Sequence, residues 1–173
     1  MSFKEKFDYW CSFDEDTKNE LLSLTDEKEI EDRFYKDLEF GTGGLRGIMG
    51  AGPNRMNRYT IAKATKGYAD YLKSRFDDDI NVAIAYDSRN NSQYFSQVAA
   101  GVLSANGIKV YIYSTLMPTP VLSFTTKYLG CNGGIVLTAS HNPKEYNGYK
   151  IYDEKGCQLV PQFANQVIGF VNA

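Results

Sequence analysis

Apolar residues return at helical intervals near the start of the chain: Phe3, Phe7 and Trp10, then Ile30, Phe34 and Leu38. That spacing predicts helices across residues 2–38, with Asp14 and Asp26 as N-caps, and the aromatic stripe reads as packing. Farther on, Ile61, Ala64, Tyr68 and Leu72 mark one helix. Phe95, Val98, Ala99, Val102 and Leu103 mark another, stopped near Gly107. The runs Val82 to Tyr86 and Ile108 to Tyr113 read as strands. A helix follows Pro120, then a strand at Gly133 to Leu137, a strand at Tyr149 to Tyr152, and a last helix holding Phe163, Val167 and Phe170. The order β-α-β-α-β-α-β-β-α predicts an α/β fold, a three-layer αβα sandwich with a mostly parallel mixed sheet and one antiparallel strand. The helical extension takes residues 1–38 and the α/β domain residues 39–173.

Composition narrows the class. With 173 residues, 43% hydrophobic and 14% aromatic, the chain can bury one substantial core. Its net charge is −2, no basic stripe points to nucleic acid, and no apolar run approaches the ~20 residues of a membrane span. The opening MSFKEKFDYW lacks a signal peptide's apolar stretch, so the cytoplasm is the expected compartment. Cys11, Cys131 and Cys157 are odd in number and widely spaced, which suits reduced thiols better than a disulfide framework or a zinc site.

The chemistry is placed around the single histidine, in Thr138-Ala139-Ser140-His141-Asn142-Pro143. Gly133 to Leu137 is short, continuously apolar and β-branched, as a strand buried on both faces should be. Ser140 then leaves its carboxyl end, where open α/β sheets gather ligands. Asn142, Pro143, Asn147 and Gly148 are turn formers able to hold an irregular loop there. Residues 139–147 are too few for a parallel crossover, so the next strand returns antiparallel and brings Lys150 towards Ser140, near the start of that strand. A hydroxyl, an imidazole and an ammonium in one small volume suit a phosphoryl ester. Taken alone, Ser140 reads more readily as a turn residue satisfying backbone groups. A Ser-His hydrolase fits less well, because the G-x-S-x-G elbow is absent.

Upstream, Phe40-Gly41-Thr42-Gly43-Gly44-Leu45-Arg46-Gly47 offers close backbone approach and a forked guanidinium for phosphate. By itself it reads equally as a glycine-rich turn with a solvated arginine, since it matches neither the nucleotide P-loop nor G-x-G-x-x-G. Joined, however, TASHNPKEYNGYKIY and FGTGGLRGIMGAGPNRMN resemble the α-D-phosphohexomutases, the phosphoglucomutase and phosphomannomutase superfamily. The resemblance is to the phosphoglucomutase/phosphopentomutase-like branch with an N-terminal helical extension. AIAYDSRNNS and MPTPVLSF agree with it, in the family's order.

The resemblance implies that Ser140 carries the phosphoryl group and that its phosphate gives one oxygen to a catalytic Mg²⁺. It implies that Arg46 lies near the phosphoserine and the bound sugar phosphate, and that His141 and Lys150 contact the reacting groups and assist proton transfer. It makes Thr42 a polar contact, and Asp87 and Arg89 a structural support for the serine loop. Nothing in the chain matches the family's metal loop, sugar-selecting loop or phosphate-binding loop. The expectation is therefore the phosphoserine-bearing first domain of a Mg²⁺-dependent phosphoglucomutase, primed by glucose 1,6-bisphosphate and inactive without the remaining domains. Phosphopentomutase, phosphomannomutase and glucose 1,6-bisphosphate synthase are the alternatives within the family. A non-catalytic phosphoprotein or interaction module, modified at Ser140, is the alternative outside it.

Overall fold

The computed structural model describes residues 2–41 and 43–173. Three short helices come first, α1 (Phe3–Trp10), α2 (Glu15–Leu22) and α3 (Glu27–Phe34). Then follow β1 (Leu45–Ile48), α4 (Arg58–Arg75), β2 (Asn81–Tyr86), α5 (Ser92–Ala105), β3 (Lys109–Ile112), α6 (Thr119–Tyr128), β4 (Gly133–Leu137), β5 (Tyr146–Tyr152) and α7 (Pro161–Asn172). From β1 onward this is the alternation that the periodicity predicts. Asp14 and Asp26 do cap α2 and α3, accepting from the Thr17 and Lys28 N–H groups.

The strands form one sheet in the order β1-β5-β4-β2-β3. β2 runs parallel to β3 and β4, while β5 is antiparallel to both β4 and β1. The antiparallel strand thus sits inside the sheet, with β1 beyond it as an edge. Strand alternation divides the core in two. Val82, Ile84, Ile135, Leu137, Tyr149 and Ile151 face Ile61, Tyr68 and Leu72 of α4, Phe95 and Leu103 of α5, and Val167 of α7. Ala83, Ala85, Val136 and Tyr152 face Leu122 of α6. In α7 the buried stripe is Ala164 and Val167, and Phe170 is exposed, against the sequence expectation. Helical spacing permits Phe170 on that stripe, but α4 covers only the α7 face carrying Ala164, Val167 and Val171.

The first three helices build a satellite core of Trp10, Leu21 and Phe34 over Ala51 and Tyr59, with the Trp10 and Tyr59 rings edge to face at 5.5 Å. Their acidic residues also hold two arginines. Arg33 bonds Glu20, Glu29 and the Ala51 carbonyl, and Arg55, 3% exposed, bonds Glu29 and Asp32. This clamps the segment 49–57 that follows β1, and Met49 N–H in turn donates to the Glu145 carbonyl at 2.8 Å.

Candidate functional site

All five residues of β4 are buried, so the chain leaves the sheet abruptly after Leu137 and the first exposed side chain is Ser140. Ser140 adopts φ +55°, a left-handed conformation that costs an L-residue on the order of 1–2 kcal/mol. Its N–H donates to Thr138 Oγ1 at 3.0 Å, and its Oγ stands 3.3 Å from His141 Nδ1. The imidazole is exposed.

Arg89 holds this loop in shape. Its guanidinium donates to four backbone carbonyls, those of Ser140 (2.7 Å), Asn142 (2.6 Å), Pro143 (2.9 Å) and Tyr146 (3.2 Å). A planar fork with five donors suits several acceptors at fixed angles, as a lysine could not. Asp87 Oδ1 accepts the Arg89 main-chain N–H at 3.0 Å, and its Oδ2 lies 3.6 Å from the guanidinium Nε. A cleft of about 400 Å³ beside the loop is lined by Asp87, Arg89, Asn90, Ser140, Asn142 and Lys144.

β5 begins at Tyr146, earlier than the spacing suggests, so Asn147 and Gly148 belong to the strand instead of the turn. Lys150 is consequently in mid-strand, opposite Val136, and not at the strand's start. Pairing of Asn147 and Gly148 with Gly47 and Arg46 of β1, together with the Thr138 N–H donating to the Gly148 carbonyl at 3.0 Å, overrides the turn preference of Asn-Gly. Arg46 likewise lies in β1 rather than in a loop, opposite Gly148. Alternation puts Arg46, Gly148 and Lys150 on one sheet face. Having no side chain, Gly148 lets the Thr138 end of the serine loop pass close against β5. A Cβ there would lie 2.4 Å from the Thr138 carbonyl oxygen.

Burial, and then the positive charge of Arg46, hold the Lys150 ammonium below its usual pKa. Among the described residues neither cation forms an ion pair. Two unneutralised cations sharing a face are suited to an anion.

The glycine loop supplies a close approach. Gly41 and Gly44 exchange backbone hydrogen bonds at 2.9 Å, and Gly44 has φ +107°. A Cβ on Gly44 would fall 1.8 Å from the Tyr149 carbonyl oxygen, so only glycine lets the loop cross β5 next to Lys150. Thr42 lies outside the described residues. Two polar residues that the sequence reading passed over as chemistry, Ser92 and Asn147, are fully buried behind the loop. Their signal is only that polar side chains occupy positions that the fold buries.

The fit of these residues to Mg²⁺ is poor on their own. Among the described residues no three His, Cys, Asp or Glu side chains converge. Asp87 is taken up by Arg89 and Ser92. Ser140 offers one oxygen where Mg²⁺ takes near-octahedral oxygen coordination.

An open, mixed α/β sheet with an irregular serine loop at a strand's carboxyl end defines the class: a three-layer α/β domain. The comparisons then give the family. Residues 37–173 match the phosphoglucomutase/phosphomannomutase alpha/beta/alpha domain I. The phosphoglucomutase of Staphylococcus haemolyticus is 40% identical over 168 residues, covering 95% of this chain and 30% of that protein. The human phosphopentomutase is 39% identical over 148 residues, covering 81% of this chain and 24% of that protein. Among solved structures, a putative phosphomannomutase of Thermus thermophilus superposes with a TM-score of 0.72 at 31% identity, over 79% of this chain and 30% of that one. The chain belongs to the phosphoglucomutase/phosphomannomutase family, as its domain I. It spans about 30% of the length of the Staphylococcus haemolyticus relative. No helix among the described residues is long and apolar enough to cross a membrane.

Proposed function

We propose that this chain is the serine-bearing domain of a phosphoglucomutase, and that Ser140 carries the phosphoryl group. The observation that supports it most is the loop itself: an exposed serine held at φ +55°, with its own carbonyl and three others gripped by Arg89. A left-handed backbone held by four hydrogen bonds at a strand's carboxyl end supports a functional role for this serine.

In this reading phosphorylated Ser140 meets the free hydroxyl of glucose 1-phosphate. The bond from phosphorus to Ser140 Oγ breaks, a bond from phosphorus to the sugar oxygen forms, and the hydroxyl proton leaves with a base. Glucose 1,6-bisphosphate then turns over in the site and returns its other phosphoryl group to Ser140, leaving glucose 6-phosphate. His141 Nδ1, 3.3 Å from Ser140 Oγ, is the candidate to hand a proton to the serine oxygen. Arg46 and Lys150 offset the charge of the phosphate oxygens, and Thr42 adds a polar contact. Mg²⁺, when bound, supplies Lewis-acid charge stabilisation, with phosphorylated Ser140 as one ligand and the others from outside these residues. Sugar selection and turnover need the remaining domains, so the 173 residues alone bind sugar phosphate weakly and do not isomerise it. The work is cytoplasmic, with a sugar phosphate and those domains as partners.

Pentose phosphate is the second reading, favoured by the human phosphopentomutase at an identity within one percentage point of the bacterial phosphoglucomutase. Phosphomannomutase, glucose 1,6-bisphosphate synthase and a non-catalytic phosphoprotein are weaker readings. The test is to incubate the intact gene product with glucose 1,6-bisphosphate, map the phosphorylated peptide by mass, and assay glucose 1-phosphate and ribose 1-phosphate. Phosphate on Ser140 and turnover lost in Ser140→Ala are expected. Turnover that survives Ser140→Ala would overturn the assignment, and phosphorylation without turnover of any sugar phosphate would favour the non-catalytic module.

A further inference from the structure

We propose that Asn147 is a positioning residue for Ser140, acting through a buried relay of hydrogen bonds; the inference rests on the reading of Ser140 as phosphoryl carrier. Asn147 and Ser92 are both fully buried. The Gly148 N–H donates to Asn147 Oδ1 at 2.8 Å, which fixes the orientation of the amide. Nδ2 must then point the other way, and it donates to the Asn90 carbonyl at 2.9 Å and to Ser92 Oγ at 3.0 Å. Ser92 commits its only hydrogen to Asp87 Oδ1 at 2.7 Å, so its oxygen is left to accept from Asn147. Asp87 receives the Arg89 main-chain N–H on the same oxygen and sets its other oxygen 3.6 Å from Arg89 Nε, and the Arg89 guanidinium grips the Ser140 carbonyl at 2.7 Å. The hydrogen bonds thus run unbroken from Asn147 through Ser92 and Asp87 to Arg89, and the line ends on the loop serine.

A purely structural polar pair would need none of this directionality. Asn147 sits near the start of β5 opposite Gly47, and an apolar side chain there would leave the Gly148 N–H and the Asn90 carbonyl without this partner. The relay instead joins β5, the first turn of α5 and the end of β2 to the loop, so a change at Asn147 reaches Ser140 without touching it. Fully satisfied buried networks of this kind hold one arrangement against others.

Asn147→Asp tests the idea by making the relay titratable. A protonated carboxylic acid still donates one hydrogen bond, whereas the ionised form donates none and puts a second negative charge one hydroxyl away from Asp87. Asp87 and Arg89 are the charged groups facing the position from the β2–α5 connection. Arg46 and Lys150 project from the other sheet face, and Gly47 on β1 presents nothing titratable. Burial and Asp87 raise the new carboxyl's pKa and Arg89 lowers it, with burial prevailing at a fully enclosed site.

Two quantities are measured against wild type at each pH: phosphate uptake at Ser140 from glucose 1,6-bisphosphate by the intact gene product, and amide exchange across residues 140–146. From about pH 5.5 to about pH 8.5 the variant-to-wild-type uptake ratio should fall about tenfold or more, and relative loop exchange should rise, as one buried proton is lost. Measurements are made well below the melting temperature, so global unfolding does not contribute. A pH-independent ratio, or a lowered melt with wild-type loop exchange and uptake, would overturn the proposal. If Asn147→Asp does not fold, Ser92→Ala breaks the relay while keeping both ends. It should speed loop exchange and slow uptake at unchanged KM, and wild-type values there would equally overturn it. If wild type takes no phosphate at Ser140 while loop exchange follows the relay, the functional reading fails and the relay stands.

Discussion

Arg46 on β1 and Lys150 on β5 share one face of the sheet, diagonal across Gly148, and the guanidinium helps to hold the Lys150 ammonium below its ordinary pKa. The sign follows from proton counting. A lysine with a lowered folded-state pKa is less protonated than the unfolded chain between that value and about 10.4, so stability rises with pH across that alkaline window. Arg46→Ala should raise the Lys150 pKa and narrow the window. A titration of ¹³C-methylated lysines by NMR reads it directly, and an unmoved Lys150 would refute the coupling. The same variant should lose on the order of 1.5–3 kcal/mol of phosphate binding.

Ser140 separates stability from function. Glycine accepts φ +55° without the steric cost that serine bears, at the expense of a freer unfolded chain. Ser140→Gly should therefore gain about 0.5–1 kcal/mol in urea melts, with Ser140→Ala close to neutral. Both should take no phosphate at this position. A less stable Ser140→Gly would mean that the hydroxyl's contacts outweigh the backbone strain.

Two glycines should answer oppositely to the same change. Gly44→Ala forces a Cβ to within 1.8 Å of the Tyr149 carbonyl oxygen at φ +107°, and should cost about 1–3 kcal/mol or more by overpacking and strain. Gly101, inside α5, has no atom within 4 Å of an added Cβ, and Gly101→Ala should stabilise by about 0.5–1 kcal/mol through helix propensity. Chemical denaturation of the two variants side by side decides it; a destabilised Gly101→Ala would contradict the open site.

Asp14 ties the helical extension to α4. Thr17, through its hydroxyl and backbone N–H, and the Tyr59 hydroxyl hydrogen-bond its carboxylate and hold it well below the usual carboxylate range, with a smaller contribution from Arg58. A depressed carboxyl contributes stability that is present above about pH 4 and is lost as pH falls through the folded-state value. Asp14→Ala should cost about 1–2 kcal/mol as a lost N-cap. Trp10, the only tryptophan, packs on Tyr59 and reports the extension by fluorescence. Acid titration of wild type should release Trp10 at a lower pH than it releases it in Asp14→Asn; coincident transitions would remove Asp14 from this role.

What was written locally in the sequence was the set of elements. β4 runs from Gly133 to Leu137 as its apolar run predicts, α4 buries the stripe that its spacing marks, and α5 buries Phe95, Ala99 and Leu103 of its stripe with Val98 and Val102 half-buried, because side-chain period records which face is covered. Placing Ser140 at a strand's carboxyl end needed nothing further. The tertiary structure decided what no short window contains. β1 joins the edge of β5 rather than the neighbouring β2, and that pairing across about a hundred residues brings Arg46 beside Lys150. Asn-Gly at 147–148 has the chemistry of a turn, yet pairing with β1 draws it into β5, and Asn147 is buried there. Arg89 reaches its four carbonyls more than fifty residues along the chain. Propensity and period are properties of a segment and can be read from it, whereas strand order and hydrogen-bond partners are chosen by the free energy of the whole sheet and core.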